Sequence, residues 1–302
     1  MTEGLCIHGA DTKSDTPLIT VAIPVFNAGK YLRLAVLSIV GQTFKDWELL
    51  IIDDGSSDDS LESISDIQDP RIRVIRDGNN RGLATRLNEA VDLGRGKYFA
   101  RMDQDDFSYP ERFACQLAFL EAHPEVDFVA ARAITISDDN ELTGILPSRL
   151  LHQEICARPW LGFYLPHPTW FGHRSWFRQH RYTSPGPYFC EDQDLLLRSF
   201  SSSRFATVDQ VLFGYRLRRR INLKKQVKTR WTLYKIQWKH FVASGDYSYA
   251  LLSTLAFIGR VGSDQLGWLL QRWQNPVSVP PSVDGTEIAR WRQVLSETAW
   301  VS

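Results

Sequence analysis

Cysteine is scarce in this chain of 302 residues, and the four present, at positions 6, 115, 156 and 190, form no CxxC pair. That usage excludes the dense disulfide framework of small secreted domains and reads as four reduced thiols in a cytosolic compartment. Long apolar runs are missing too. The longest uncharged apolar stretch of the C-terminal part, Tyr247 to Gly259, has 13 residues before Arg260, short of the ~20 that a membrane-spanning helix needs. Met1 to Pro17 has neither the basic n-region nor the apolar h-region of an export signal and reads as a flexible leader. Net charge is also absent, with 35 Lys+Arg against 35 Asp+Glu, but only by cancellation. Residues 1–209 carry 21 basic and 30 acidic side chains, whereas 210–245 carry 10 and none. The acidic majority disfavours a nucleic-acid partner, while the basic segment leaves a local anionic partner open.

What is present is a core-forming composition, 43% apolar, in a chain long enough to bury a sizeable interior. From Leu18 onward, short β-branched runs alternate with segments of helical period, the pattern of strands joined by crossover helices. Ile19–Val25, Glu48–Ile52, Ile72–Ile75 and Lys97–Met102 read as strands. Gly29–Val40, Asp59–Ile67 and Gly82–Leu93 read as helices, the last with Leu83, Leu87, Ala90 and Val91 on one face. An α/β fold with a mostly parallel sheet follows. Beyond it, Pro110–Ala122 reads as a helix, Val126–Ala130 and Ala133–Ser137 as strands, and 147–190 as a long aromatic loop region of the kind that carries function. Glu191–Ser199 reads as a helix and Phe205–Tyr215 as one or two strands. A Pro-rich break from Asn275 to Pro281 then precedes a last helix around Glu287–Thr298.

In a parallel sheet, polar residues just past the strand C-termini line the ligand crevice. Here those positions hold Pro24 to Asn27, then Asp53-Asp54-Gly55-Ser56, then Asp103-Gln104-Asp105-Asp106. Two carboxylates in one turn can hold a hard divalent ion and, through it, a phosphate. An acidic solvated loop is the plain alternative for Asp103–Asp106, and a capped strand-to-helix turn for Asp53–Ser57. An EF-hand does not fit, because Ser108 and Ala114 stand where its Gly and Glu belong. The coincidence of both acidic turns at one sheet edge favours a site.

Val21-Ala22-Ile23-Pro24-Val25-Phe26-Asn27, then Ser38 to Thr43, Glu48 to Ser57, Asn80-Arg81-Gly82-Leu83, Asn88, Gly96, and Arg101 to Asp106 followed by Pro110-Glu111-Arg112-Phe113, together resemble the family 2 glycosyltransferases of GT-A fold. The resemblance covers residues 18–217. It implies a nucleotide-diphosphate-sugar donor, with UDP the family's common nucleotide, a divalent metal (Mn²⁺ or Mg²⁺), and transfer with inversion to a saccharide or lipid-linked acceptor. By that resemblance Asp53 and Asp54 meet the base and ribose, with Pro24, Phe26, Asn27, Asn80 and Gly82 nearby. Asp103 contacts the ribose or the metal, Asp105 ligates the metal and Asp106 supports them. Glu191-Asp192 matches the later acidic pair, with Asp192 as general base and Glu191 toward the acceptor. His167 resembles part of an acceptor-side segment, although a packing histidine is an equal reading. Processive synthases of the family carry Gln-x-x-Arg-Trp. Here Gln226 to Arg230-Trp231 has one residue too many, which favours a non-processive enzyme. Competing readings are a binding module without catalysis and a sugar nucleotidyltransferase; the latter calls for a Gly-rich basic phosphate loop that Pro24–Gly29 is not.

Within the basic segment, Leu223, Val227, Trp231, Tyr234, Trp238 and Phe241 step by three and four residues along one helical face, with Lys224, Lys228, Lys235 and Lys239 beside it. Three readings stay open: a helix packed on the catalytic domain, one lying on an anionic membrane surface through 223–242, or a nucleic-acid contact, which the aromatic interleaving permits and the acidic main domain opposes. The expected organisation is a leader (1–17), a catalytic domain (18–217) and a helical C-terminal extension (218–302). The chain is expected to be cytoplasmic, with peripheral attachment to the inner membrane face open.

Overall fold

The apolar runs become strands and the periodic segments helices. The structure, a computed structural model, describes residues 16–217, 223–271 and 284–299. Most of the expected leader, Cys6 and the Asn275–Pro281 break lie outside the described residues. Strands β1 (Ile19–Val25), β2 (Trp47–Asp53), β3 (Ile72–Arg76) and β4 (Tyr98–Arg101) alternate with α1 (Tyr31–Val40) and α2 (Leu83–Leu93). There follow β5 (Phe107–Ser108), α3 (Arg112–Ala122), β6 (Phe128–Ile136), β7 (Leu142–Ile145), α4 (His152–Ile155), β8 (Phe171–His173), α5 (Arg174–Gln179), α6 (Glu191–Ser199) and β9 (Phe205–Arg216). The last helices are α7 (Leu223–Ser244), α8 (Tyr247–Gln271) and α9 (Gly285–Ala299).

One sheet runs in the order β3-β2-β1-β4-β8-β6-β9-β5, with β7 on β6. The first four strands are parallel, as is β6 with β9, while short β8 joins the two groups through antiparallel pairs. Strands β1 and β2 are buried along their whole length, as sheet covered on both faces requires. Leu32, Val36 and Ile39 of α1 pack on one face, and Leu87, Ala90 and Val91 of α2 on the other.

Three expectations change. Asp59–Ile67 forms only a short 3₁₀ turn at Glu62–Ile64. There, Asp58 accepts from the Gly29 and Ser60 backbone N–H groups, and the Ser63 and Ser65 hydroxyls donate to nearby carbonyls; such local bonds compete with a helical ladder. The two strands expected within 126–137 are one, β6, whose register against β9 shifts around Arg132. The expected aromatic face of α7 divides: Phe241 is buried with Gln237, whereas Trp231 and Trp238 are 46% and 44% exposed.

The C-terminal helices pack on the sheet and its loops. Gln237 donates to the Pro159 carbonyl at 2.9 Å, and α9 inserts Trp291 edge-on against Phe107. Cys115, Cys156 and Cys190 are free thiols. Among the described residues, no helix is long and apolar enough to cross a membrane.

Candidate active site

The parallel strands β1, β2 and β4 end together, so the turns that follow them meet. Gln104, the middle residue of the acidic turn, accepts from Phe26 N at 2.7 Å and donates to Phe26 O at 3.1 Å. An amide side chain can complete both halves of a backbone pair in this way, which ties the acidic turn to the end of β1. Arg216, at the end of β9, holds the same turn from the other side: its Nε donates to Asp105 O at 2.7 Å and its N–H to Asp106 Oδ1 at 2.7 Å. Arg112 donates to the Arg101 carbonyl at 2.8 Å and fixes the strand beneath.

Two clefts open over these turns. One, of about 610 Å³, is lined by Pro24, Phe26, Asp54, Asn80, Gly82 and the 186–189 loop. The other, of about 760 Å³, is lined by Arg101, the 163–168 segment, Asp192, Tyr215 and Lys225. Leu83, Asp103, Asp105, Phe189 and Glu191 line both. The wall between them therefore carries three carboxylates, and Asp192 faces the second cleft only. Phe189 holds a left-handed backbone (φ 48°). The Lys225 ammonium lies 3.8 Å from its ring centroid, and that of Lys228 lies 3.8 Å from the Tyr188 ring. Helix α7 thus clasps the loop that walls the first cleft.

Glu191 and Asp192 begin α6, whose N-terminus favours negative charge. Burial, then the Asp192 charge, pushes the Glu191 carboxyl up to about 7. Burial raises the Asp192 carboxyl as well, against the hydrogen bonds that favour its ionised form. Gln193 donates to Asp192 Oδ2 at 3.1 Å and pairs with both backbone groups of Phe163, so α6 and the 163–168 wall are one unit. Under this wall lies Arg101, 2% exposed and paired with Asp103. Its Nε and Nη1 have no hydrogen-bond partner among the described residues. Burial works against its charge, but Asp103, Glu191 and Asp106 outweigh it. His167 is held neutral by burial and by Arg101. Its Nε2 is hydrogen-bonded to the Tyr182 hydroxyl at 2.7 Å, and its 3.8 Å approach to Glu191 is therefore a polar contact rather than an ion pair.

Of the residues singled out in the sequence, Pro24, Phe26, Asp54, Asn80, Gly82, Asp103, Asp105, Glu191, Asp192 and His167 line one or both clefts. Asn27 and Asp53 are not among the lining residues. Asn27 Oδ1 accepts from Ser57 N at 2.8 Å, and Asp53 Oδ1 from Ser56 N at 3.0 Å, so both shape the turn. Asp54 lines the cleft while accepting from Arg81 N, Gly82 N and Arg86 Nε. Asp106 lines the second cleft, and its buried Oδ2 has no partner among the described residues. Sequence reasoning missed Gln104, Gln193, Arg101 and the Tyr188–Phe189 wall; only Gln104 and Arg101, inside the quoted motif, carried any signal.

Asp103 and Asp105 supply two hard oxygen donors at the junction. No group of three or more His, Cys, Asp and Glu side chains converges among the described residues. A divalent ion that takes its other ligands from a diphosphate and water needs only one or two protein carboxylates. Burial and the neighbouring Asp105 also push the Asp103 carboxyl upward despite Arg101, and a cation relieves that crowding. The pair fits such an ion and does not form a closed structural metal site.

A sequence profile for glycosyl transferase family 2 matches residues 20–181. An uncharacterized glycosyltransferase of Haemophilus influenzae is 29% identical over 214 residues, 67% of this chain and 66% of that protein's own length. Among solved structures, Staphylococcus aureus TarS (1–349) in complex with UDP-GlcNAc is similar with a TM-score of 0.59 at 15% identity, covering 94% of this chain and 81% of that one. The mannosyltransferase PcManGT of Pyrobaculum calidifontis, in complex with GDP-Man and Mn²⁺, is similar with a TM-score of 0.60 at 14% identity, covering 95% and 85%. At those identities the likeness shows a shared fold.

Proposed function

Because the chain belongs to glycosyl transferase family 2, we propose that it moves one sugar, with inversion, from a UDP-sugar in the first cleft to a hydroxyl of a saccharide or lipid-linked acceptor in the second. The observation that carries this reading is the shared wall of Asp103, Asp105 and Glu191 between the clefts, with Asp192 facing only the second. An in-line displacement needs the donor on one side of the reacting carbon and a base beside the incoming hydroxyl on the other. Asp192, held by Gln193, takes that proton. Arg101 keeps its charge beneath the wall and orients Asp103. His167 and Tyr182, hydrogen-bonded to each other, stiffen the acceptor side. Asp105 and Asp103 would hold Mn²⁺ or Mg²⁺, which when bound offsets the charge growing on the leaving diphosphate. The nucleotidyltransferase reading loses support because the loop after β1 has no N–H group to spare for a phosphate at Phe26, Asn27 or Gly29. These donate to Gln104, Ser56, and Asp58 with Ser60. In this reading residues 18–217 are the catalytic domain of a cytoplasmic enzyme, 218–302 are its C-terminal extension, and the described helices of that extension, α7 to α9, pack on the domain.

Titration of the protein with UDP-, GDP- and dTDP-sugars, with and without Mn²⁺, tests the donor assignment. A UDP-sugar is expected to bind most tightly, and Asp105→Ala to remove the Mn²⁺-dependent part of that binding. Equal donor affinity with and without Mn²⁺ in the unsubstituted protein would overturn the metal role.

Glu191 gives a separate prediction on stability. An acid that keeps its proton to about 7 in the folded chain loses it near the ordinary 4.5 when unfolded, so the folded state binds more protons between those values. Stability therefore falls as pH rises through that window. Glu191→Gln, which removes the buried charge, is expected to stabilise the metal-free protein by about 3 kcal/mol near pH 8 and to make little difference near pH 4. Thermal melts at the two pH values check this; a Gln variant less stable than the parent near pH 8 contradicts it.

A further inference from the structure

Helices α7 and α8 form a hairpin with two unlike sides. Gln237 and Phe241 of α7 and Ala250 and Ser253 of α8 are buried, and Tyr249 stacks on Trp160 with ring centroids 5.0 Å apart. Away from the domain, Trp231 and Trp238 of α7 and Leu251, Leu255 and Ile258 of α8 are exposed, the last three by 60%, 57% and 61%. A step of seven residues on α7, and of four and three on α8, keeps each set on one helical stripe. The α7 stripe borders the seam between the helices, where Trp231 and Tyr234 both contact the ring of Phe257, next in sequence to Ile258, at 5.5 and 5.0 Å. Single exposed apolar side chains are ordinary, but five large ones gathered on one hairpin form a patch that marks a partner.

Charge identifies the partner. The exposed stripe of α7 is flanked by Lys224, Lys235 and Lys239, and α7 contains no acidic residue. The Lys235 ammonium lies 5.9 Å from the Trp231 ring. The nearby acids are occupied: Asp246 accepts from Ser244 at the hairpin turn, and Asp264 pairs with Arg230 at 3.2 Å. Indole rings interleaved with lysines, beside an aliphatic stripe, match the boundary between anionic headgroups and acyl chains. A second copy laid on this face would set lysines against lysines.

We propose that the outer face of the α7–α8 hairpin docks on an anionic lipid bilayer, with Trp231, Trp238, Leu255 and Ile258 at the acyl boundary and Lys235 and Lys239 among the headgroups. This surface does not depend on the reading of the reaction. It does lie close to the second cleft: Lys225, which lines that cleft, is six residues before Trp231 on one helix, roughly 9 Å along the axis.

Flotation of the full-length protein with vesicles tests the proposal. Binding is expected to vesicles of equal parts phosphatidylglycerol and phosphatidylcholine, and not to phosphatidylcholine alone. Lys235→Gln with Lys239→Gln should weaken binding about thirtyfold, and Leu255→Glu with Ile258→Glu should abolish it. All four positions are partly or well exposed, so circular dichroism should show the fold unchanged. Failure of the unsubstituted protein to float with the anionic vesicles overturns the proposal, as does binding that survives both double substitutions. A dimer in solution that the Leu255→Glu, Ile258→Glu variant turns into a monomer, without vesicle binding by the parent, assigns the face to a second copy and likewise overturns it.

Discussion

Asp192→Asn is expected to lower sugar transfer about a thousandfold while leaving the affinity for the nucleotide sugar nearly unchanged. The asymmetry follows from where the side chain sits. Asp192 faces the second cleft alone, whereas Asp103, Asp105 and Glu191 face both. Asn keeps the shape and can still pair with Gln193, but it cannot accept a proton, and general-base catalysis is worth about 10²–10⁴ in rate. Burial raises the basicity of the ionised carboxylate, which favours its taking up the proton. Release of UDP in the presence of acceptor gives the rate, and calorimetric titration of donor gives the affinity. Turnover at the parent rate would remove Asp192 from the base role; lost donor binding would make it a structural residue of the donor cleft.

Arg86→Met is expected to cost about 3 kcal/mol of stability and to weaken donor binding. Arg86 is wholly buried and donates to Asp54 at 2.9 Å, Asp77 at 2.5 Å, Glu89 at 2.8 Å and the Asn79 carbonyl at 2.6 Å. Removing one partner of a buried ion pair leaves the others uncompensated, at about 3–5 kcal/mol. Asp77 and Glu89 are 35% and 24% exposed, so water softens the loss and the lower end applies. Asp54 in turn accepts from the backbone at Arg81 and Gly82, the loop that lines the first cleft, which is why binding suffers with stability. Lys in place of Arg should recover little, because a single ammonium cannot bridge three carboxylates as the planar fork does. A urea midpoint shifted by the equivalent of less than about 1 kcal/mol, with unchanged slope, would contradict this reading.

Much of this was legible in the residues. Ile19–Val25 is a strand with the expected bounds because seven residues of near-unbroken apolar character permit little else in a covered sheet. The acidic turns could be placed at one edge because parallel strands end on one side. What escaped was the set of contacts made by side chains distant in sequence. Nothing local to Gln104 says that it pairs with the backbone of Phe26, 78 residues away. The brief helical look of Asp59–Ile67 yielded to Asp58 and Ser60, whose polar atoms bond to the Gly29 N–H. For α7, period alone drew one aromatic face; it could not tell that Phe241 would be buried with Gln237 while Trp231 and Trp238 turned outward.

The loop at Phe189 and the start of α6 at Glu191 belong to both clefts. Two binding events that share a wall are linked. If a donor, by settling against Phe189 and Glu191, changes acceptor affinity by some factor, the acceptor must change donor affinity by that same factor. In the proposed reading, the partition between the clefts is the place where each substrate senses the other, and a substitution there changes the size of that shared factor, equally for both, as well as the shapes of the sites.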